Sequence, residues 1–240
     1  MKQLLVILLA VSVNHLCAQP WKTVKGNHNI KKESRTVGQF SSLLSKGPLD
    51  VKIASGHSDK IEVMADENLL PYIETEVENG KLIIRTKNYV NLKSSSKMVV
   101  YVSMDQIKTL QLSGSGNIES DGSLAGAENT DIQLSGSGNI RLNSGTFKDL
   151  KMAISGSGGI DVKEGKAENL AIAISGSGNI SVNNLAAQDV EVKISGSGNA
   201  KVYANKSLTA IISGSGNIYY KGSAKNISSK TAGSGKIIKI

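Results

Sequence analysis

Cysteine, proline, histidine and aromatic residues are all scarce in this chain. A single Cys, at position 17, excludes an intramolecular disulfide, and with only three His it leaves little for a metal cluster. Three prolines in 240 residues exclude a collagen and a proline-rich linker. One Trp, two Phe and six Tyr are too few for a core centred on large rings. No apolar run approaches 18 residues, so no transmembrane helix is expected. Acidic excess is absent too: Lys and Arg outnumber Asp and Glu by 28 to 20, a net charge of +8 spread along the chain. A hydrophobic fraction of 39% is too high for a disordered chain.

The first 18 residues read as a signal peptide. Lys2 supplies a basic start, Leu4 to Val13 an apolar stretch, and Leu16-Cys17-Ala18 a processing site before Gln19. Cleavage after Ala18 removes Cys17. A lipoprotein anchored through Cys17 is the alternative, but Leu16 stands where a lipobox wants a small residue. An exported chain without cysteine must draw its stability from its fold rather than from disulfides.

Glycine is what the sequence has in abundance, 25 residues, and much of it falls in a repeat. Ser113-Gly114-Ser115-Gly116-Asn117-Ile118 recurs in near-identical form from Ser135, Ser155 (with Gly159 for Asn), Ser175, Ser195 (with Ala200 for Ile) and Ser213, and in degenerate form from Ala232. The starts lie 22, 20, 20, 20, 18 and 19 residues apart. Before each tract, apolar residues alternate with polar or small ones. Leu110 and Leu112 lead, then Ile132 and Leu134, Met152 and Ile154, Ile172 and Ile174, Val192 and Ile194, Ala210 and Ile212. After it come Ile140 and Leu142, Ile160 and Val162, Ile180 and Val182, Ala200 and Val202. Period two predicts strands with one buried face.

Twenty residues are too few for a strand, a crossover helix and a return. They suffice for one coil of a solenoid with two or three short strands per turn. The expected fold is all-β: a parallel β-helix, or β-solenoid, with coils of about 20 residues. Seven rungs at the usual strand spacing predict a rod roughly 30 to 35 Å long. An antiparallel stack of hairpins is the rival. The glycines are expected to turn corners, and Asn117, Asn139, Asn179, Asn199 and Asn217 to stack as a hydrogen-bonded ladder. The tract is neither a dinucleotide fingerprint nor a P-loop, and its neutral Asn at this period does not suit a calcium-binding β-roll.

Residues 19–36 read as an extended basic segment. From 37 to 104 the chain is β-rich but irregular, a divergent or capping half, and 105–240 hold the repeats. Leu49 to Ile53, Ile61 to Val63 and Val99 to Val102 read as strands. Glu74 to Arg85 reads as a hairpin turning at Asn79-Gly80. The polar stretch Asn88 to Lys97 reads as a loop. With no Pro/Gly linker between the halves, one continuous β domain is preferred.

Chemistry-bearing residues are thin. Glu119, Asp161 and Glu191 fall at similar phases but alternate with Arg141 and Lys193, a solvated face rather than a paired acid and base. His28 and His57 lack partners at metal spacing, and no His follows His57 to serve a serine nucleophile. Positive charge alone does not make a nucleic-acid surface, since aromatics are not interleaved with it. Tyr203, Tyr219 and Tyr220 are candidate contacts or end cover, with Tyr220 in the inward phase. No catalytic, cofactor-binding or metal residue is assigned.

The chain resembles the auto-transporter adhesin, head GIN domain family of exported proteins, mostly of Bacteroidetes. The likeness lies in Gly38-Gln39-Phe40, Leu49-Asp50-Val51-Lys52-Ile53, Ile61 to Ala65, Val77-Glu78-Asn79-Gly80-Lys81-Leu82-Ile83-Ile84 and the Ser-Gly-Ser-Gly-Asn-Ile tracts, over about 36–240. It implies a β-helical protein of the periplasm or cell surface: a non-catalytic adhesin or scaffold without cofactor. The partners implied are a surface glycan or an envelope protein, and homo-oligomerisation stays open. A polysaccharide-acting enzyme on a β-helix, or a periplasmic glycan-binding module, is the alternative.

Overall fold

The computed structural model describes residues 21–240. The signal segment and Cys17 therefore lie outside the described residues. Eighteen strands and one 3-10 turn follow in order. They are β1 (Lys22–Lys25), β2 (Ile30–Thr36), β3 (Ser42–Gly47), β4 (Asp50–Ser55), β5 (Lys60–Asp66), the turn Leu70–Tyr72, β6 (Ile73–Glu78) and β7 (Lys81–Thr86). Next come β8 (Val90–Lys93), β9 (Val99–Met104), β10 (Gln106–Gly114) and five long strands. These are β11 (Asn117–Gly136), β12 (Asn139–Gly156), β13 (Gly159–Gly176), β14 (Asn179–Gly196) and β15 (Asn199–Gly214), each bent round one coil. β16 (Ile218–Lys221), β17 (Asn226–Gly233) and β18 (Ile237–Lys239) close the chain.

Every neighbouring pair from β10 to β18 is parallel, and like repeats face like. The fold is the β-solenoid, and the hairpin stack is excluded. The register explains the alternating sequence. Ile118, Ile140, Ile160, Ile180, Ala200 and Ile218 form one buried column, each the direct partner of the next. Leu112, Leu134, Ile154, Ile174, Ile194 and Ile212 form a second. No single coil could bury these side chains, so each rung's core is supplied by the rungs above and below. Phe147, the one buried ring in the long strands β11 to β15, fits because Gly126 and Gly145 flank it: a Cβ on either would come within 2.5 Å of the ring.

The two glycines of each tract do different work. The first, as in Gly136 (φ +122°) and Gly156 (φ +127°), takes a backbone angle that side chains resist. The second has an ordinary angle but no room. A Cβ on Gly138 would stand 2.0 Å from the carbonyl oxygen of Gly116 one rung away, and the same clash recurs at Gly158, Gly198 and Gly216. Only a bare backbone lets the corners stack at strand spacing.

The N-terminal half departs from this regularity but continues the same sheet. β3 lies parallel on β10, and β4 on β11. β7 adds parallel to β3, and β6 returns antiparallel through a turn with Asn79 at φ +49° and Gly80 at φ +71°, the signature of a type I′ hairpin. β2, within the basic segment, pairs antiparallel with β5, which pairs antiparallel with β9. The stretch read as a loop over Asn88 to Lys97 contains β8, which joins β1 in a separate two-stranded parallel sheet. Its four residues, Val-Asn-Leu-Lys, are too few for periodicity to show above their polar surroundings.

Candidate functional site

The outward columns disperse charge. Lys52, Glu119, Arg141, Asp161, Ser181 and Lys201 follow one another in direct register. Arg141 Nη1 lies 3.0 Å from Glu119 Oε1 on this exposed face. Glu191 belongs to a different column, beside Ala171 and Thr209, and pairs with Lys193 at 2.5 Å. Glu119 and Asp161 share a column, with Arg141 between them, but Glu191 matches them only in spacing: a coil has several sides, and equal parity does not mean the same side. His57 Nδ1 stands 3.9 Å from Asp105, with both side chains more than half exposed. Among the described residues, no group of three or more His, Cys, Asp and Glu could hold a metal ion.

The asparagine ladder is present, with one rung missing. Asn117 Nδ2 donates to Asp50 Oδ1 at 2.8 Å, and Asn139 Nδ2 to Asn117 Oδ1 at 3.0 Å. Gly159 then interrupts it. Asn199 donates to Asn179 at 3.0 Å and Asn217 to Asn199 at 3.1 Å, and the Lys236 N–H donates to Asn217 Oδ1 at 3.1 Å. Asp50, which only accepts, suits the first place in a chain of donors pointing one way.

Of the tyrosines, Tyr220 sits on Val202 in the inward phase and packs partly buried against the core. Tyr203 faces outward beneath Lys221, whose ammonium lies 5.2 Å from the ring centroid. Tyr219 stacks in register between Lys201 and Ile238. The three are spread over the last rungs and do not converge on one pocket.

Two of the surface hollows bear on function. One is a shallow groove of about 670 Å3 along the side of the rod, lined among others by Gln133, Ala153, Ala173, Lys193, Ser155 and Ser175. It exists because two successive outward positions are alanine between longer side chains. The other is a pocket of about 450 Å3 at the N-terminal end, where Trp21 and Tyr89 stand exposed.

A buried carboxylate organises that end. Asp66 is fully buried and accepts the backbone N–H groups of His28 and Ser95 and the hydroxyls of Ser94 and Ser95, at 2.6 to 2.9 Å. Burial pushes its carboxyl up, but the bonds from Ser95, Ser94 and His28 outweigh burial and hold it well below the usual carboxylate range. No cation is needed when four donors point at one charge. Gly26 completes the cradle, since a Cβ there would lie 2.3 Å from Asp66 Oδ2. Asp66 ties the β1–β2 connection and the segment after β8 to the end of β5. No local pattern in the sequence marks it, because its partners lie 28 and 29 residues ahead and 38 behind.

Solved structures share this architecture. A protein from Parabacteroides distasonis ATCC 8503, described as a "putative lipid binding protein", is 28% identical over 91% of this chain and 100% of its own, with a TM-score of 0.78. A "putative adhesin" from Parabacteroides merdae ATCC 43184 is 28% identical over 91% and 99%, with a TM-score of 0.72. Another from Bacteroides fragilis NCTC 9343, at 24% identity over 90% and 100%, shares the fold with a TM-score of 0.85. No curated protein matches the sequence. The family described as "Putative auto-transporter adhesin, head GIN domain" matches residues 39–224. The chain therefore belongs to the head GIN domain family of exported, adhesin-like surface proteins, on a β-solenoid.

Proposed function

We propose that the protein acts outside the cytoplasm as a non-catalytic binding rod, with residues 1–18 removed on export and 37–240 forming one solenoid domain. The observation that carries this reading is the outward column Lys52, Glu119, Arg141, Asp161. Charges of opposite sign alternate at strand spacing on an exposed face, with Arg141 and Glu119 in contact at 3.0 Å, which spreads charge along a contact surface and does not hold two carboxylates together as an acid–base pair. The test is digestion of intact cells of the native bacterium with an added protease, combined with an attachment assay on a gene-deleted strain. Cleavage on intact cells and loss of attachment, restored by the full-length gene, are expected. Protection until the outer membrane is ruptured, with attachment unchanged, would defeat the adhesin reading.

The groove over Ala153 and Ala173 favours a second reading, an acyl chain lying along the rod. The description of the Parabacteroides distasonis relative points the same way. Native mass spectrometry of protein taken from its own envelope is the check. A bound lipid lost in Ala173→Asp supports it, and a bare chain counts against it.

A further inference from the structure

We propose that the N-terminal end of the rod carries a binding site for an acidic polysaccharide, built on Trp21 and Tyr89. This deepens the adhesin reading, on which it rests, by naming a ligand class and a place.

The first ground is exposure. In a chain with nine aromatic residues, the one Trp is 70% exposed and Tyr89 55% exposed. The two rings meet edge to face, with centroids 6.3 Å apart and an interplanar angle of 70°. Single exposed apolar side chains need no explanation, but two adjoining rings on the rim of one pocket are an anchor in search of a partner. Residues 68 positions apart are brought together by the parallel β1–β8 pair: the Lys22 N–H donates to the Tyr89 carbonyl at 2.9 Å.

The second ground is backbone strain. Tyr89 has φ +59°, in the left-handed region that a bulky side chain resists. Glycine or asparagine would make the same turn more cheaply. At this position the ring is held at the rim of the pocket at a cost in backbone strain, a combination that marks functional sites.

The third ground is charge. Lys46, Arg85 and Lys87 line the same pocket. Arg85 is already held by Glu74 at 2.9 Å and Glu76 at 2.7 Å. Lys46 and Lys87 are exposed and have no carboxylate within ion-pair distance among the described residues. A free anion would pair with the lysines and leave both rings idle. A neutral sugar would stack its C–H face on a ring and leave the lysines idle. A uronic-acid residue does both at once, ring on ring face and carboxylate on ammonium. A polymer of such residues adds avidity when many rods share one surface.

The experiment is calorimetric titration of the full mature chain with oligogalacturonate at physiological salt, with dextran oligosaccharide of similar length as the neutral probe. The expected result is binding of oligogalacturonate and none of dextran. Trp21→Ala should weaken binding by about tenfold or more, and Tyr89→Gly likewise. Glycine relieves the backbone, so Tyr89→Gly should melt no lower than the parent, which separates use of the ring from a structural role. The pair Lys46→Gln/Lys87→Gln should weaken binding, whereas Lys225→Gln/Lys230→Gln, an equal loss of charge at the far end, should not. Equal weakening by both lysine pairs, parent-like affinity in the aromatic variants, or equal binding of dextran overturns the proposal. So does adsorption to phosphatidylglycerol vesicles without binding of oligogalacturonate. A chain that ignores oligogalacturonate yet is cleaved on intact cells and needed for attachment overturns this site and leaves the adhesin reading standing.

Discussion

Asp66 Oδ1 accepts the backbone N–H of His28 at 2.8 Å, joining two points 38 residues apart across the N-terminal end of the rod. With the bonds from Ser94 and Ser95, this carboxylate fixes the short β1–β8 sheet to the solenoid, and with it the aromatic pair.

Asp66→Asn should therefore destabilise the protein by about 2 to 4 kcal/mol at neutral pH, because an amide nitrogen is turned toward donors inside a buried cradle. The effect carries a pH signature. The folded carboxyl is depressed below its unfolded value, so its stabilisation is complete above about pH 4 and drains away as pH falls toward the lower folded value. Urea midpoints at pH 7 and pH 3 should show the gap between parent and variant narrowing in acid. A constant gap would mean that the charge does not matter.

Ile174 and Ala173 are neighbours in sequence and opposites in environment, one 2% exposed and the other on the surface. Ile174→Asp should cost about 3 to 5 kcal/mol, since it places a charge in the middle of a continuous apolar column. Ala173→Asp should stay within about 0.5 kcal/mol. Chemical denaturation distinguishes them, and equal losses would refute the strand phase.

Gly159 and Gly138 should respond in opposite directions. A Cβ on Gly159 would meet Asn139 Oδ1 at 3.0 Å, the end of a side chain that can shift, and the Asn179 carbonyl oxygen at 3.8 Å, an ordinary contact. Gly159→Asn would join the two halves of the asparagine ladder and should raise stability by about 0.5 to 1.5 kcal/mol, through new hydrogen bonds and a less flexible unfolded chain. Gly138→Ala must push two rungs apart, against the backbone of Gly116, and should lower the melting temperature and broaden the transition. Thermal melts followed by far-UV circular dichroism settle both.

What the sequence revealed, and what it hid, follows from distance. The inner columns were legible because a parallel register stacks like on like: a pattern that recurs along the chain is the same pattern seen through the core. The Asn ladder was legible for the same reason. Its acidic first member, Asp50, was not, because it belongs to an irregular coil outside the repeat. The corner role of the first glycine could be read, but the second glycine's role could not, since its constraint is a carbonyl one rung away rather than its own backbone angle. Trp21 and Tyr89 left no trace. Each stands beside a four-residue strand with no period, and their meeting depends on a pairing that no local pattern encodes.

The rung is also a unit of reach. Its height is set by backbone hydrogen bonds, about 4.8 Å, and not by whichever side chains fill it. Coils two residues longer or shorter are absorbed as register shifts at corners, as between Ser120 and Ser123 or Ser181 and Ala186, without disturbing the stack. Duplicating or deleting one repeat would move the aromatic end relative to the C-terminal end by one fixed increment and leave both ends intact. Such a molecule can be tuned like a telescoping pole, one click at a time, with the grip at its tip unchanged.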